Sequence, residues 1–357
     1  MAKHFLILGL ILSSVFLVFN GCQGGKEKNG VAVVDSAEIK AKQLLEKAKQ
    51  YFQPIPEIAD SKENPVTKEK VRLGKMLYFD TRLSKTGKNS CNSCHNLNTS
   101  FGVDNEVTSE GDAGKRGDRN SPTVLNAAIH FAQFWDGRAK DVEEQAGMPI
   151  LNPVEMAIPH EGFLVDRLKG INDYQQAFKA AYPGDQNPIS YKNLKNAIGA
   201  FERTLMTPTR FDKFLNGDLA ALNTEEKQGL ETFISVGCTN CHIGPAVGGN
   251  MFQKFGLFKN YRDYTKSKKD DTGRMMVTKS EVDKDQFKVP GLRNIEKTNP
   301  YFHDGSIADL KSAIKIMGTI QLNKDLKDTE IRSIETFLKS LTGEVKAEWK
   351  SEELTKN

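Results

Sequence analysis

Apolar residues recur at three- and four-residue spacing in six stretches: "SAEIKAKQLLEKAKQYF", "TKEKVRLGKMLYF", "YKNLKNAIGAFERTL", "NTEEKQGLETFISV", "IADLKSAIKIM" and "KDTEIRSIETFLKSLTG". That period, carried by strong helix formers, predicts helices. The last stretch ends on Gly343, a predicted C-cap. Between the stretches lie long loops rich in Gly, Pro, Asn and Asp, with no series of alternating strands, so the predicted class is mainly α. The N-terminus follows a different pattern. "MAKHFLILGLILSSVFLVFNGC" places a lysine before an apolar run from Phe5 to Phe19, the pattern of a secretory signal over residues 1–21. The run is too short and too weakly flanked for a stable spanning helix. Polar, glycine-rich "QGGKEKNG" then reads as a flexible tether.

Two of the predicted helices resemble each other. One carries Glu69, Gly74 and Phe79 and leads to "CNSCH" at 91–95; the other carries Glu225, Gly229 and Phe233 and leads to "CTNCH" at 238–242. C-x-x-C-H is the attachment signature of a c-type haem: the thiols add to the porphyrin vinyl groups and the histidine takes an axial site on iron. The repeat predicts two haem domains in tandem, at 60–205 and 206–345, with a break near Pro208. Residues 22–59 form the tether and first helix, and 346–357 read as a polar tail.

The remaining counts narrow the chemistry. Of five cysteines, four form these pairs and one, Cys22, directly follows the signal, where a lipid anchor of a bacterial lipoprotein would be attached. The bland reading of Cys22 is a residue of the leader without a role. Zinc would need four ligands close together, and His130, His160 and His303 form no tight pair. A redox dithiol would not need the motif twice. The net charge of +4 is spread among interspersed acids and bases, and runs such as "KSKKDD" read as solvated loop, so a nucleic-acid partner is not expected. For the second haem a sixth ligand is available in Met317, on the apolar face shared with Leu310 and Ile314. Helical spacing alone would make it a core residue. In a haem domain a thioether completes His/Met coordination and raises the iron's potential. Met275 and Met276, in a polar loop, are the rivals.

"LYFDTRLSKTGKNSCNSCHNL", "RNSPTVLNAA", "QFWDGRAKDVEEQAGMPILNPVEM", "FKVPGLRNIEKTNPYFHDGSIADL" and "MGTIQLN" together resemble the bacterial dihaem cytochrome c peroxidases, in matching order over residues 60–343. The resemblance implies two cytochrome-c-like haem domains, a periplasmic homodimer, and reduction of hydrogen peroxide to water with electrons from a small cytochrome c or a cupredoxin. It implies that Cys91, Cys94 and His95 hold the peroxidatic haem. Cys238, Cys241, His242 and Met317 would hold the electron-receiving haem. Trp135 resembles a tryptophan lying between the haems, a relay for electrons. Gln145 and Glu155 resemble the distal polar pair over the peroxidatic iron. Asn120, Thr298 and Pro300, the last two through carbonyls, resemble ligands of a calcium ion, with water filling the sites that three residues leave. His303 resembles a histidine packed near the haems rather than on iron.

Heterolysis of peroxide needs a proton moved from its near to its far oxygen, and one carboxylate of tuned pKa can carry it while Gln145 holds the substrate. Read without the resemblance, Glu155 in "NPVEMAIP" is a solvated loop residue and Trp135 a packing residue. Many members of the family carry a histidine ahead of "RNSP" that caps the peroxidatic iron until the other haem is reduced. In "TSEGDAGKRGDRNSP" that position is Asp112, in a Gly-rich loop expected to point it at solvent. The expectation is an open peroxidatic haem that needs no reductive activation. His130, on a predicted helix with apolar neighbours, is the competing ligand, with a satisfied packing histidine as its bland reading. His160 is expected to start a helix. A non-catalytic dihaem electron carrier and a related dihaem oxidase acting on a partner protein are the alternative functions. The carrier has no use for an open iron beside an acid–base group, and the oxidase places a tyrosine where this chain has Met317.

Overall fold

The computed structural model describes residues 36–351, so the leader, Cys22 and the tether lie outside the described residues. In chain order the helices are α1 (Ser36–Lys49), α2 (Lys68–Phe79), α3 (Cys91–Cys94), α4 (Val142–Leu151), α5 (Glu161–Lys169), α6 (Asn172–Ala181) and α7 (Tyr191–Glu202). They continue with α8 (Arg210–Leu215), α9 (Thr224–Val236), α10 (Arg262–Thr265), α11 (Met275–Thr278), α12 (Leu310–Leu322) and α13 (Asp328–Lys339). A short antiparallel pair, β1 (Phe252–Lys254) and β2 (Gln286–Lys288), matches Phe252 to Lys288. The mainly helical class stands, and all six predicted stretches are helical.

The core forms three clusters. One joins α2 to α4–α7 through Leu73, Leu77, Ile150, Leu164, Phe178 and Leu194. A second joins α8, α9, α12 and α13 through Phe211, Phe233, Ile314 and Phe337, and α1 adds Leu45 and Ala48 to it. The first helix therefore packs on the C-terminal half of the chain. In the third, Tyr78, Leu97, Leu125, Phe201 and Leu205 pack against Cys91.

The two resembling helices do the same job. A Cβ at Gly74 of α2 would stand 1.9 Å from the Ala197 carbonyl oxygen of α7. A Cβ at Gly229 of α9 would stand 2.2 Å from that of Ser333 in α13. Each glycine lets its helix touch a partner backbone, which fixes how the helix delivers the cysteine pair that follows. Gly237, at φ +98°, ends α9 in the left-handed conformation and turns the chain straight into Cys238.

Several expectations are corrected. Helices α4, α6 and α8 lie in stretches the periodicity did not single out. α4 contains Gly147 and Pro149, and α8 is six residues long, so burial rather than propensity decides both. Helix α13 ends at Lys339, and Gly343 does not cap it: its amide donates to Asn294 Oδ1 at 2.9 Å, with Thr207 packed against it. The 346–357 stretch is polar in composition, yet Trp349 is 3% exposed and completes the cluster of Tyr78 and Phe201. Lys75 Nζ holds this segment by donating to the Glu348 carbonyl at 2.7 Å. His160 does cap α5, its Nδ1 accepting from the Phe163 amide at 3.1 Å. Among the described residues no helix is long and apolar enough to cross a membrane.

Candidate haem and peroxide sites

Both C-x-x-C-H segments form a single tight turn. His95 donates its amide to the Cys91 carbonyl at 3.0 Å, and His242 donates to that of Cys238 at 3.0 Å. This geometry places both thiols and the imidazole along one side of a turn. The imidazoles are also oriented alike: Nδ1 of His95 lies 2.9 Å from the Pro122 carbonyl and Nδ1 of His242 lies 3.2 Å from that of Val247. With Nδ1 donating to a carbonyl, Nε2 is left as the free lone pair of a neutral ring, the tautomer a metal requires. Burial reinforces this by lowering both rings' pKa, that of His242 to about 4.

The four thiols are free. Burial pushes Cys91 up, Cys94 to about 11 and Cys238 to about 12, and raises Cys241 as well. Redox dithiols and zinc thiolates need the opposite shift, and no cluster of three or more metal-binding side chains exists among the described residues. The donor set suits thioether attachment of a haem.

Beyond the second motif opens an apolar cavity of about 220 Å³ that Cys238, Cys241, His242 and Met317 line together, with Phe233, Leu310 and Ile314 around them. Met317 thus comes to the second site. The rival Met275 and Met276 form the short helix α11 outside it, and Met276 is 53% exposed.

The first motif is reached by Glu155 of the "NPVEM" turn, which acts on the Cys94 thiol. Arg138, Met148, Pro149, Leu151, Asn152 and Glu155 line a second pocket. Asn152 Nδ2 donates to Glu155 Oε1 at 2.9 Å. Burial raises the Glu155 carboxyl above its ordinary value, against the lowering effects of Arg138 and the Asn152 bond. The same carboxylate contributes to raising the Cys94 thiol, which ties this pocket to the first motif. Glu155 is therefore not the solvated loop residue that composition suggests. Gln145 sits half-buried on α4, one turn before Met148 and Pro149.

Asp112 does not point at solvent; it is 6% exposed. Its Oδ2 accepts from the Thr86 amide at 2.8 Å and its Oδ1 from the Thr86 hydroxyl at 2.7 Å. Its own amide donates to the Glu155 carbonyl at 2.6 Å. A Cβ on neighbouring Gly111 would stand 1.8 Å from the Val154 carbonyl oxygen. The loop thus lies backbone to backbone against the turn that bears Glu155, and Asp112 clasps it there.

Trp135 touches the surroundings of both motifs. Its Nε1 donates to the Asn120 carbonyl at 2.9 Å, two residues before the Pro122 that orients His95, and its ring lines the cavity of His242. Comparison with known proteins decides the family. A family model for di-haem cytochrome c peroxidases matches residues 68–220. Cytochrome c551 peroxidase of Nitrosomonas europaea is 47% identical over 299 residues, 83% of this chain and 85% of that protein. The chain belongs to the di-haem cytochrome c peroxidase family.

Its class is accordingly oxidoreductase, a peroxidase acting on hydrogen peroxide. Cytochrome c551 peroxidase of Pseudomonas aeruginosa is 44% identical, covering 84% of this chain and 86% of that one. A crystal structure of a MauG-like protein associated with microbial copper homeostasis superposes with TM-score 0.72 at 28% identity, over 83% of this chain and 96% of that one.

In this di-haem peroxidase Asn120, Thr298 and Pro300 all line the central cavity, and Asn120 donates its amide to the His303 carbonyl at 2.8 Å. His303 is 2% exposed, stacked on Phe287 with 4.1 Å between ring centres and edge-on to Trp135. His130 ends a 3-10 turn rather than sitting on a helix. Lys288 Nζ holds its ring at 3.1 Å, and it lines the cavity of His242 and Met317, not the Glu155 pocket. Sequence reasoning missed Arg138, Asn152, Thr86 and Lys288. Arg138 and Asn152 flank residues already singled out, whereas Thr86 and Lys288 meet their partners only through the fold.

Proposed function

We propose that this peroxidase reduces hydrogen peroxide to water beside Cys91, Cys94 and His95, with electrons from a small cytochrome c or a cupredoxin. They would be received where Cys238, Cys241, His242 and Met317 meet. The observation that carries the reading is the division between the two sites. One motif opens on a cavity lined by a thioether, the other adjoins a pocket lined by a buried carboxylate of raised pKa. The haem c groups, when bound, supply the electron-transfer and oxygen-reducing chemistry. Glu155 takes a proton from one peroxide oxygen and returns it to the other, and its raised pKa brings it closer to neutral pH, where transfer in both directions is easier. Asn152 orients the carboxylate, Arg138 keeps the pKa from rising further, and Gln145 holds the substrate without titrating. Trp135 relays electrons between the sites.

Asp112 fills the position of the capping histidine of many relatives, and its carboxylate is committed to Thr86. Held there, Asp112 would not be free to cap an iron bound at His95, so that site would stay accessible to peroxide and the enzyme would work without prior reduction. Asn120, Thr298 and Pro300 hold calcium beside the central cavity, with water completing the shell. The signal at 1–21 sends the protein to the periplasm, where it works as a homodimer, anchored by lipid on Cys22. The test is peroxide consumption with reduced cytochrome c, started from fully oxidised enzyme and from enzyme pre-reduced by one electron. Equal initial rates are expected. Turnover only after pre-reduction overturns the open-site reading, and no turnover in either case overturns the function.

A further inference from the structure

The cavity shared by His242 and Met317 is lined by apolar and neutral residues with one exception, Lys288 at the end of β2. Lys288 is 5% exposed, and no carboxylate side chain lines the cavity with it. Its ammonium makes one hydrogen bond, to His130 Nδ1 at 3.1 Å, and no ion pair with any described residue. His130 cannot serve as counter-ion. Burial and the Lys288 charge hold its pKa well below the ordinary value, so the ring is a neutral acceptor.

The arrangement is rigid. A Cβ at Gly249 would stand 2.2 Å from His130 Cδ2, and one at Gly291 would stand 2.8 Å from Nε2, so these two glycines leave room for the ring and no more. The Lys288 amide donates to the Trp135 carbonyl at 2.7 Å, which fixes the lysine's strand to the segment that bears Trp135. Burial draws the Lys288 ammonium down to about 8, and an anion placed beside it would favour the charged form. A buried cation without an anion is strongly unfavourable, and native proteins pair such charges. Here the protein provides the cation and leaves the anion to whatever occupies the cavity.

Haem c carries two propionate carboxylates. We propose that Lys288 is the counter-ion of a propionate on the haem held by Cys238, Cys241 and His242, with His130 positioning the ammonium, and that this charge raises that haem's reduction potential. The direction follows from electrostatics: reduction adds an electron, and a fixed positive charge nearby favours the reduced form. The proposal rests on the reading that this cavity holds a haem c.

The experiment is a spectroelectrochemical titration of the holoprotein, wild type beside Lys288→Met, Lys288→Gln and Lys288→Arg, following the methionine-ligated haem separately from the other. Met and Gln variants should lower the midpoint of that haem, Arg should retain it, and the N-terminal haem should move least. Loss of the C-terminal haem in Met and Gln but not in Arg would support the same charge requirement at the stage of loading. Two haems with the wild-type midpoint in Met and Gln overturn the proposal. Loss of the haem in all three variants also overturns it, because shape rather than charge would then be required. A wild-type protein lacking haem at Cys238 and Cys241 would fail at the underlying reading, a result distinct from either.

Discussion

Replacing Asp112 by alanine should free the loop that lies against the Glu155 turn. The carboxylate accepts two hydrogen bonds from Thr86, at 2.8 and 2.7 Å, and is nearly excluded from water. Hydrogen bonds to a charged group contribute about 1.5–3 kcal/mol each, less when two share one acceptor group, and the Thr86 amide would lose its partner. A combined loss of about 2–4 kcal/mol is expected, which multiplies local opening by about 30- to 900-fold. Thr86→Val removes the hydroxyl and keeps the amide bond, so about 0.5–1.5 kcal/mol, or about 2- to 12-fold, is expected. Hydrogen exchange of the segments around 84–90 and 104–118, read by mass spectrometry on the holoprotein, measures both. The clasp should also depend on pH. Burial raises the Asp112 carboxyl, but the bonds from Thr86 together with Ser84 and the Lys88 amide outweigh it and hold the group below its ordinary value. Its contribution is therefore complete above the unfolded carboxylate pKa and is lost as pH falls through the lower folded one. Unchanged exchange in Asp112→Ala would show that the loop is held by its backbone contacts alone, and the account of Asp112 would be wrong.

Glu155→Gln should lower peroxide turnover by about 10²- to 10⁴-fold while leaving both haem spectra intact. Because burial raises Glu155, the acid limb of the wild-type pH–rate profile should lie above the ordinary glutamate pKa. Arg138→Met should move that limb to higher pH, since the guanidinium lowers the carboxyl. Met317→Leu should abolish the sulfur-ligand absorption of the C-terminal haem and lower its potential, as spectroelectrochemistry would register. Arg293→Ala strands Asp212, whose carboxylate the guanidinium grips at 2.8 and 2.7 Å in the C-terminal core. Denaturant titration should find a loss of about 3–5 kcal/mol.

The sequence showed most plainly what is local. Two C-x-x-C-H turns, the glycines at 74 and 229 that bring each preceding helix onto its partner, and the methionine on the apolar face of α12 all follow from short spacings. The helices α4 and α8 were not legible because they owe their form to burial around residues such as Ile150 and Phe211 rather than to propensity. Trp349 looked like part of a tail because one aromatic among lysines and glutamates gives no period. Asp112 is buried where its Gly-rich loop suggests solvent. Its partner Thr86 lies 26 residues earlier, and nothing in a Gly-rich loop announces such a clasp. Lys288 beside His130 is the same case across 158 residues.

The central claim is a pair of unlike iron sites, one sealed by the Met317 thioether and one open beside Glu155. The electron paramagnetic resonance spectrum of the fully oxidised holoprotein, with no reductant added, tests it most directly. The account predicts one low-spin haem and one high-spin haem, the latter converted to low spin by cyanide. Two low-spin haems in the untreated protein would contradict it.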